Sequence, residues 1–208
     1  MAEPTWVDTG TEMRDHRHVS AWCEWLNALA VDAEAALAAA IAYRELDQEG
    51  RDCWLLALEQ DTRRLNVPRI AVYAPLLAVE SDPVRRERIE DAMGPTDDAA
   101  RPSNGPWALT GRGKGGVSLS VVVHPLYLSF AQVLVCAHRP HAGFDWVRHD
   151  PIVALDRAPK AGGVLEGVTL ESIPLRSVVD ELAHAVVAHA RTRRELPEPL
   201  HLFAHLFQ

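Results

Sequence analysis

Cysteine is scarce in this sequence, with three residues in a chain of 208. Cys23, Cys53 and Cys136 are far apart, and no Cys-x-x-Cys pair occurs. This pattern excludes a disulfide scaffold and is typical of proteins from a reducing compartment. The N-terminal residues also lack the basic stretch followed by an apolar stretch that marks a secretory signal. We therefore expect a soluble cytoplasmic protein.

Lysine is also rare, because Lys114 and Lys160 are the only two among 21 basic residues. Residues 1–100 carry 20 acidic and 10 basic side chains, a net charge of −10. Residues 101–208 carry 9 acidic and 11 basic side chains, a net charge of +2. Neither half has the strong positive excess of a nucleic-acid-binding face, so we expect no nucleic acid partner.

A long uninterrupted apolar run is missing as well. The most apolar segment, residues 117–138, is interrupted by polar residues and by Pro125. A transmembrane helix needs about 20 consecutive apolar residues, so we expect no membrane partner. The alternation of valine and leucine with serine at the start of this segment predicts a β-strand, and a second run after Pro125 predicts its hairpin partner. After Gln132 the phase changes, which indicates either a β-bulge or a strand buried on both faces.

Residues 1–93 are rich in helix signals. Apolar residues recur at three- and four-residue steps over about 20–46 and again over about 51–65. Pro68 is placed to open a third helix, which Pro75 should kink or end, and a fourth helix is predicted from Pro83 to Met93. Residues 94–116 then contain six glycines and three prolines, which predicts a linker or a long surface loop.

The last part of the chain, residues 117–208, is predicted to hold the sheet and a final helix. Further strand signals lie within 144–147 and 152–155, which Pro151 should divide, and within 164–173. An amphipathic helix is predicted from Leu175 to Arg194. On that helix His189 shares the apolar stripe, whereas His184 falls on the polar face. The expected fold is α+β: a helical subdomain over 1–93, then a mostly antiparallel sheet with a C-terminal helix packed on it.

One cluster of polar residues follows the central strand. Its spacing matches no known metal motif, but imidazole and carboxylate are ligands for zinc or iron. A metal site there is one interpretation; a histidine-bearing surface loop is the other, and under it no cofactor is expected. The four residues are His138, His141, Asp145 and His149.

Signals for other chemistry are weak. No Gly-x-Ser-x-Gly nucleophile motif occurs, and Cys136 lies within an apolar strand, where thiols are usually inert. The glycine-rich loop 111–116 departs from the P-loop pattern, because Lys114 is followed by glycine and then by a strand. It is read as a flexible connector, with anion contact as the alternative.

Several aromatic residues are candidates for a binding surface, since tryptophan is enriched at interfaces. Trp107 could instead fold back on the sheet, and the apolar C-terminal tail could dock on its own core or on a second subunit. The binding candidates are Trp107, Tyr127, Trp146, Phe203 and Phe207.

These observations lead to three hypotheses for function. The first is a non-catalytic module that binds a protein or peptide and forms a homo-oligomer through its C-terminal segment. The second is a small metal-dependent enzyme that uses the histidine and aspartate cluster. The third is a pocket for a small hydrophobic ligand, lined by Tyr127 and Trp146.

Overall fold

The structure is a computed structural model that describes residues 21–94 and 105–207. The chain divides into two compact units, Met1–Asp97 and Asp98–Gln208, which we call the helical unit and the sheet unit. Together they form the α+β fold that the sequence predicted, with helices first, then an antiparallel sheet and a C-terminal helix.

The helical unit contains five helices in its described part. They are α1 (Ala21–Ala28), α2 (Ala33–Glu45), α3 (Gln48–Asp61), α4 (Arg69–Leu77) and α5 (Pro83–Met93). Their buried residues form one core, which includes Leu26, Tyr43, Leu58, Tyr73 and Ile89.

The single helix predicted over 20–46 is wrong, because a turn separates α1 from α2 and their axes differ by 113°. Asp32 explains where α2 begins. Its Oδ1 atom accepts a hydrogen bond from the backbone N–H of Glu34 at 2.9 Å, which satisfies a donor that a new helix leaves unpaired. Apolar periodicity continues across the turn, because both helices bury residues in the same core.

The other helix boundaries follow standard capping chemistry. Asp47 and Asp82 cap α3 and α5 through their side chains, and Pro83 is the first residue of α5. Gly94, with a φ of 69°, follows the end of α5. Pro75 lies inside α4, which ends two residues later, as predicted.

The sheet unit contains seven strands and one long helix in its described part. They are β1 (Trp107–Arg112), β2 (Ser118–Pro125), β3 (Phe130–Arg139), β4 (Gly143–Ala154), β5 (Val164–Leu165), β6 (Val168–Thr169), β7 (Glu171–Ile173) and α6 (Leu175–Arg191). Five of these strands form an antiparallel sheet in the order β4-β3-β2-β1-β7, and β5 and β6 form a separate two-stranded hairpin. Helix α6 follows β7.

Part of the predicted linker is strand β1, which pairs with β2 along its whole length. The glycine content of this segment was misleading. A Cβ atom on Gly111 would lie 2.6 Å from Cγ1 of Val168 and 2.7 Å from the backbone oxygen of Thr169. Gly111 is therefore required by close packing within a strand, and its presence does not indicate a flexible connector.

Strand β3 is buried on both faces, which is why its alternation is lost after Gln132. Ala131, Val133, Val135 and Ala137 stay on one face throughout. The register shift opposite Gln132 belongs to the pairing with β4, which carries the extra residue there. Of the two interpretations offered above, the strand buried on both faces is correct.

Strand β4 is one continuous strand, although Pro151 was expected to divide it. Its ladder to β3 shifts at two places, near Asp145 and near Pro151. A proline is tolerated here because β4 lies at the edge of the sheet and because a bulge leaves one residue unpaired.

Both faces of the sheet are covered within the sheet unit. On one face the strands pack against α6 and the 3₁₀ segment Glu198–Phe207, whose Leu200 and Phe203 are buried. On the other face they pack against residues from 155–170, including Ala158 and Leu170. Each face therefore has its own apolar core, and β3 contributes to both.

In the part of the chain that the structure describes, no single helix is long and apolar enough to span a membrane. The sharply bent pair α1 and α2 meets the length and composition test only when the two helices are taken together.

Candidate functional site

The four residues of the predicted metal cluster do not meet. His138 is buried at the end of β3, whereas His141 is exposed in the following turn with a φ of 70°. Asp145 forms an ion pair with Arg139 at 3.1 Å, and the His149 ring packs edge-on against Phe203. Within residues 21–94 and 105–207, no group of three or more histidine, cysteine, aspartate or glutamate side chains could hold a metal ion.

His138 instead belongs to a polar cluster beneath α6. Its Nε2 atom lies 2.9 Å from Oγ of Ser120, and that hydroxyl donates to Oε2 of Glu181 at 3.2 Å. Because the hydroxyl has one hydrogen and the carboxylate can only accept, the imidazole must donate its Nε2–H to the serine. Burial lowers the pKa of His138 below its usual value, although Glu181 and Asp145 act in the opposite direction.

These three residue types also occur in serine hydrolases, but their arrangement here does not suit nucleophilic attack. A serine nucleophile needs a histidine nitrogen that can take its proton, whereas Nε2 of His138 already carries one. Ser120 is also 1% exposed and lies within a strand. The cluster is therefore a structural element that satisfies polar groups inside the core.

A second buried histidine, His189, fixes the end of α6 against the start of β4. Its Nδ1 atom accepts a hydrogen bond from the backbone N–H of Phe144 at 3.2 Å, and its Nε2 atom lies 3.0 Å from the backbone oxygen of Glu195. Arg194 donates to the backbone oxygen of Phe144 at 3.3 Å. The side chains of His189 and Arg194 thus occupy the backbone donor and acceptor of Phe144. The sequence predicted that His189 is packed and His184 exposed, and both predictions are confirmed.

Three of the five predicted binding aromatics pack within their own chain and are unsuited to that role, and the side chain of a fourth is outside the described residues. Trp107 folds onto the sheet, where its Nε1–H donates to the backbone oxygen of Pro159 at 3.3 Å. Tyr127 is 5% exposed and packs edge-on against Phe130, and burial raises its pKa. Phe203 is 1% exposed and fills the core under α6. The side chain of Phe207 lies outside the described residues.

Trp146 is the remaining candidate, and its ring is exposed on edge strand β4. It lies opposite Ala137, near one end of β3, whereas Tyr127 precedes the other end of that strand. The two aromatic residues therefore cannot line a common pocket, which removes the basis of the hydrophobic-ligand hypothesis.

The surroundings of Trp146 define a candidate interaction surface. Among the described residues no strand pairs with the outer side of β4. At one end its backbone is occupied by His189 and Arg194, and at the other Pro151 lacks an N–H group. Between them lies a short segment, Asp145–Asp150, that we call the open edge. Sequence reasoning identified Trp146 but not this edge, because strand order is decided by long-range pairing.

The helical unit contains a polar cluster that sequence reasoning missed entirely. The side chain of Glu80 is fully buried and accepts hydrogen bonds from the Tyr43 hydroxyl at 2.7 Å, from Nε of Arg85 at 2.9 Å and from NH1 of Arg51 at 3.3 Å. The backbone N–H groups of Ser81 and Asp82 complete the set. Burial alone would raise the pKa of Glu80, but these hydrogen bonds and positive charges lower it to about 2.

A surface groove between α3 and α5 has no enclosed apolar interior. It is lined by Glu59, Val84, Glu87, Arg88, Asp91 and Ala92, and Arg88 is bound to Glu59 at 2.8 Å. A lining of this kind does not suit a small hydrophobic ligand.

Comparisons with known proteins add no assignment. No protein-family model matches the chain, and neither a curated protein nor a solved structure shows significant similarity to it.

Proposed function

We propose that this protein is a non-catalytic, self-associating protein-binding module that functions in the cytoplasm. The observation that carries the proposal is the open edge of β4 with Trp146 exposed beside it. An uncovered strand edge presents backbone N–H and C=O groups that can add a strand from another chain. We take that other chain to be a second copy of this protein.

The protection of the flanking positions supports this proposal. Natural proteins cover or disrupt exposed strand edges to avoid uncontrolled pairing. Here the edge is covered at Phe144 by the side chains of His189 and Arg194, and it is disrupted by the bulge at Pro151. Between the bulges at Asp145 and Pro151, residues 146–150 have neither device and carry an exposed tryptophan, a residue enriched where proteins bind each other.

The polar groups most suited to catalysis are already bound to one another inside the protein. Ser120, His138 and Glu181 satisfy one another beneath α6, and Glu80 is held by two arginines and a tyrosine. The metal-dependent alternative required His138, His141, Asp145 and His149 to converge, and their separate positions leave it without support.

We propose a different surface for self-association from the one the sequence predicted. The C-terminal tail was expected to provide it, but Phe203 is buried in the core of its own chain. A buried side chain cannot anchor a second copy, so we assign the contact to β4.

The proposal is tested by measuring molar mass against protein concentration by sedimentation equilibrium. We expect reversible dimers for the wild-type protein and a shift towards monomer for Trp146→Lys. Val187→Lys is the matched control, because Val187 is exposed on α6, which packs on the sheet face opposite the one that carries Trp146, and this variant should dimerise normally. Circular dichroism checks that both variants fold. A wild-type protein that stays monomeric up to high concentration contradicts the proposal.

A further inference from the structure

We propose that two copies of this protein join through their β4 strands, paired antiparallel about a two-fold axis at Val147. In this register Trp146 of each copy lies opposite the partner's Arg148. The inference rests on the self-association proposed above and specifies which residues make the contact.

The positions of these side chains follow from the pairing of β4 with β3. Trp146 is paired with Ala137 and Arg148 with Val135, and both of those partners lie in the core opposite α6. Trp146 and Arg148 therefore project from the same face of the sheet, on either side of Val147. A two-fold axis through Val147 places residue 146 of one strand against residue 148 of the other, twice in each dimer.

The two side chains are chemically complementary. A planar guanidinium stacks favourably on an indole ring, and directly opposed residues of antiparallel strands are close enough for this contact. Arg148 is half-exposed and is already bound at its edge by Asp150 at 3.3 Å and Glu166 at 3.6 Å. These are ion pairs of a side chain that is 44% exposed, so the guanidinium remains accessible to Trp146 of a second copy.

Neighbouring registers are less favourable. An axis at Arg148 would place the two Arg148 side chains directly opposite each other, and opposed like charges are destabilising. An axis at Trp146 would require Arg148 to pair with the partner's Phe144, whose backbone N–H and C=O are already bound by His189 and Arg194. With the axis at Val147, the ladder covers Asp145–His149 and ends just before Phe144.

The contact is short, so the dimer should be weak and its population should depend on concentration. Five residues from each chain bury much less surface than a stable protein interface does. We expect a dissociation constant on the order of micromolar or weaker.

The register is tested with two single variants that are weak alone and complementary together. Trp146→Lys faces the partner's Arg148 with a like charge at both contacts, and Arg148→Glu removes both guanidinium–indole contacts. Each homodimer should dissociate about tenfold more readily than the wild type. In a mixture, the lysine introduced in the first variant faces the glutamate introduced in the second, and the remaining tryptophan and arginine face each other.

The expected result is a heterodimer in the equimolar mixture with an affinity within about threefold of the wild type, measured by sedimentation equilibrium with one variant labelled. A mixture that binds no more tightly than either variant alone, beside a dimeric wild type, overturns this register and leaves self-association standing. A wild type that is monomeric throughout overturns both proposals. Val187→Lys mixed with Arg148→Glu keeps one guanidinium–indole contact and gains no ion pair, so its heterodimer should be weaker than that of Trp146→Lys with Arg148→Glu.

Discussion

The two units bury polar side chains in opposite ways. The helical unit buries a charge: Glu80 is ionised and held by Arg51, Arg85 and Tyr43. The sheet unit buries a neutral group: His138 is kept uncharged by burial and hydrogen-bonds to Ser120. A buried carboxylate surrounded by donors is most stable when ionised, whereas a buried imidazole with a single hydroxyl partner is most stable when neutral. The units should therefore differ in what destabilises them.

They also differ in how their elements are held together. In the helical unit, side-chain caps at Asp32, Asp47 and Asp82 define helix starts from residues close in sequence. In the sheet unit, Gly143 and His189 meet although 46 positions separate them in the chain. Substitutions at such long-range contacts should affect the sheet unit more than changes to its local turns do.

Replacing Glu80 with alanine should give the largest loss of stability. Two arginines and a tyrosine would lose their shared partner inside the helical unit, and breaking a buried ion pair costs about 3–5 kcal/mol. Urea denaturation monitored by hydrogen exchange of α4 peptides measures this change.

Glu59→Ala is the matched control for Glu80→Ala, because Glu59 pairs with Arg88 on the surface. An exposed pair contributes at most about 1 kcal/mol. Equal losses of stability from the two substitutions would mean that the buried Glu80 cluster contributes no more than an exposed ion pair.

Gly143→Ala should destabilise the sheet unit by about 2–4 kcal/mol. Gly143 has a φ of 78°, and a Cβ atom there would lie 2.5 Å from Cα of His189, so α6 would have to move. Gly162→Ala is the control, because its φ is 83° but nothing lies near the added Cβ atom. Only the backbone cost of about 1–2 kcal/mol applies to the control, so similar losses would contradict the proposed close contact.

Ser120→Ala should cost the sheet unit about 1–3 kcal/mol, because the buried Nε2–H of His138 loses its acceptor. Ser118→Ala on the same strand is less buried and should change stability by no more than about 0.5 kcal/mol. Thermal denaturation of both variants provides the measurement. A neutral Ser120→Ala would show that the hydroxyl is not needed to satisfy the histidine.

Lowering the pH should destabilise the sheet unit before it destabilises the helical unit. Burial lowers the pKa values of His138 and His149 below 6.5 in the folded state, so the unfolded chain takes up protons first. The sheet unit should keep its full stability above about pH 6.5 and lose it progressively below. The contribution of Glu80 in the helical unit is complete above pH 4.5 and is lost only as the pH falls towards about 2.

Hydrogen exchange resolved by peptide, in urea at pH 7.5 and 5.5, can follow the two units separately. Peptides from β3 should lose protection at the lower pH while those from α4 keep theirs. His138→Gln should weaken the pH dependence in the sheet unit, and the same change at the exposed His184 should not. Equal loss of protection in both units would contradict the expected difference in their pH dependence.

Local patterns predicted much of this architecture. Periodicity located α3 and α6, and alternation located β2. The break between α1 and α2 was missed because the apolar pattern runs through it, and β1 was missed because its glycine resembles a loop residue. In both places a long-range packing requirement outweighed the local signal.

The candidate site was predicted only in part. The sequence identified Trp146 as a candidate binding residue and His189 as packed, but it grouped His138, His141, Asp145 and His149 by their closeness along the chain. A strand directs successive side chains to opposite faces, and the bulge at Asp145 changes that order, so neighbours in sequence were separated in space.

The sequence by itself determined the α+β class, the helical first half and the apolar strands at the centre, because these depend on the period of apolar residues along the chain. The tertiary structure alone decided that β4 lies at an edge, that Glu80 meets two arginines and that His138 reaches Ser120 and Glu181. Those contacts join residues far apart in the chain, and their energies depend on burial and on the order of strands, which no local pattern encodes.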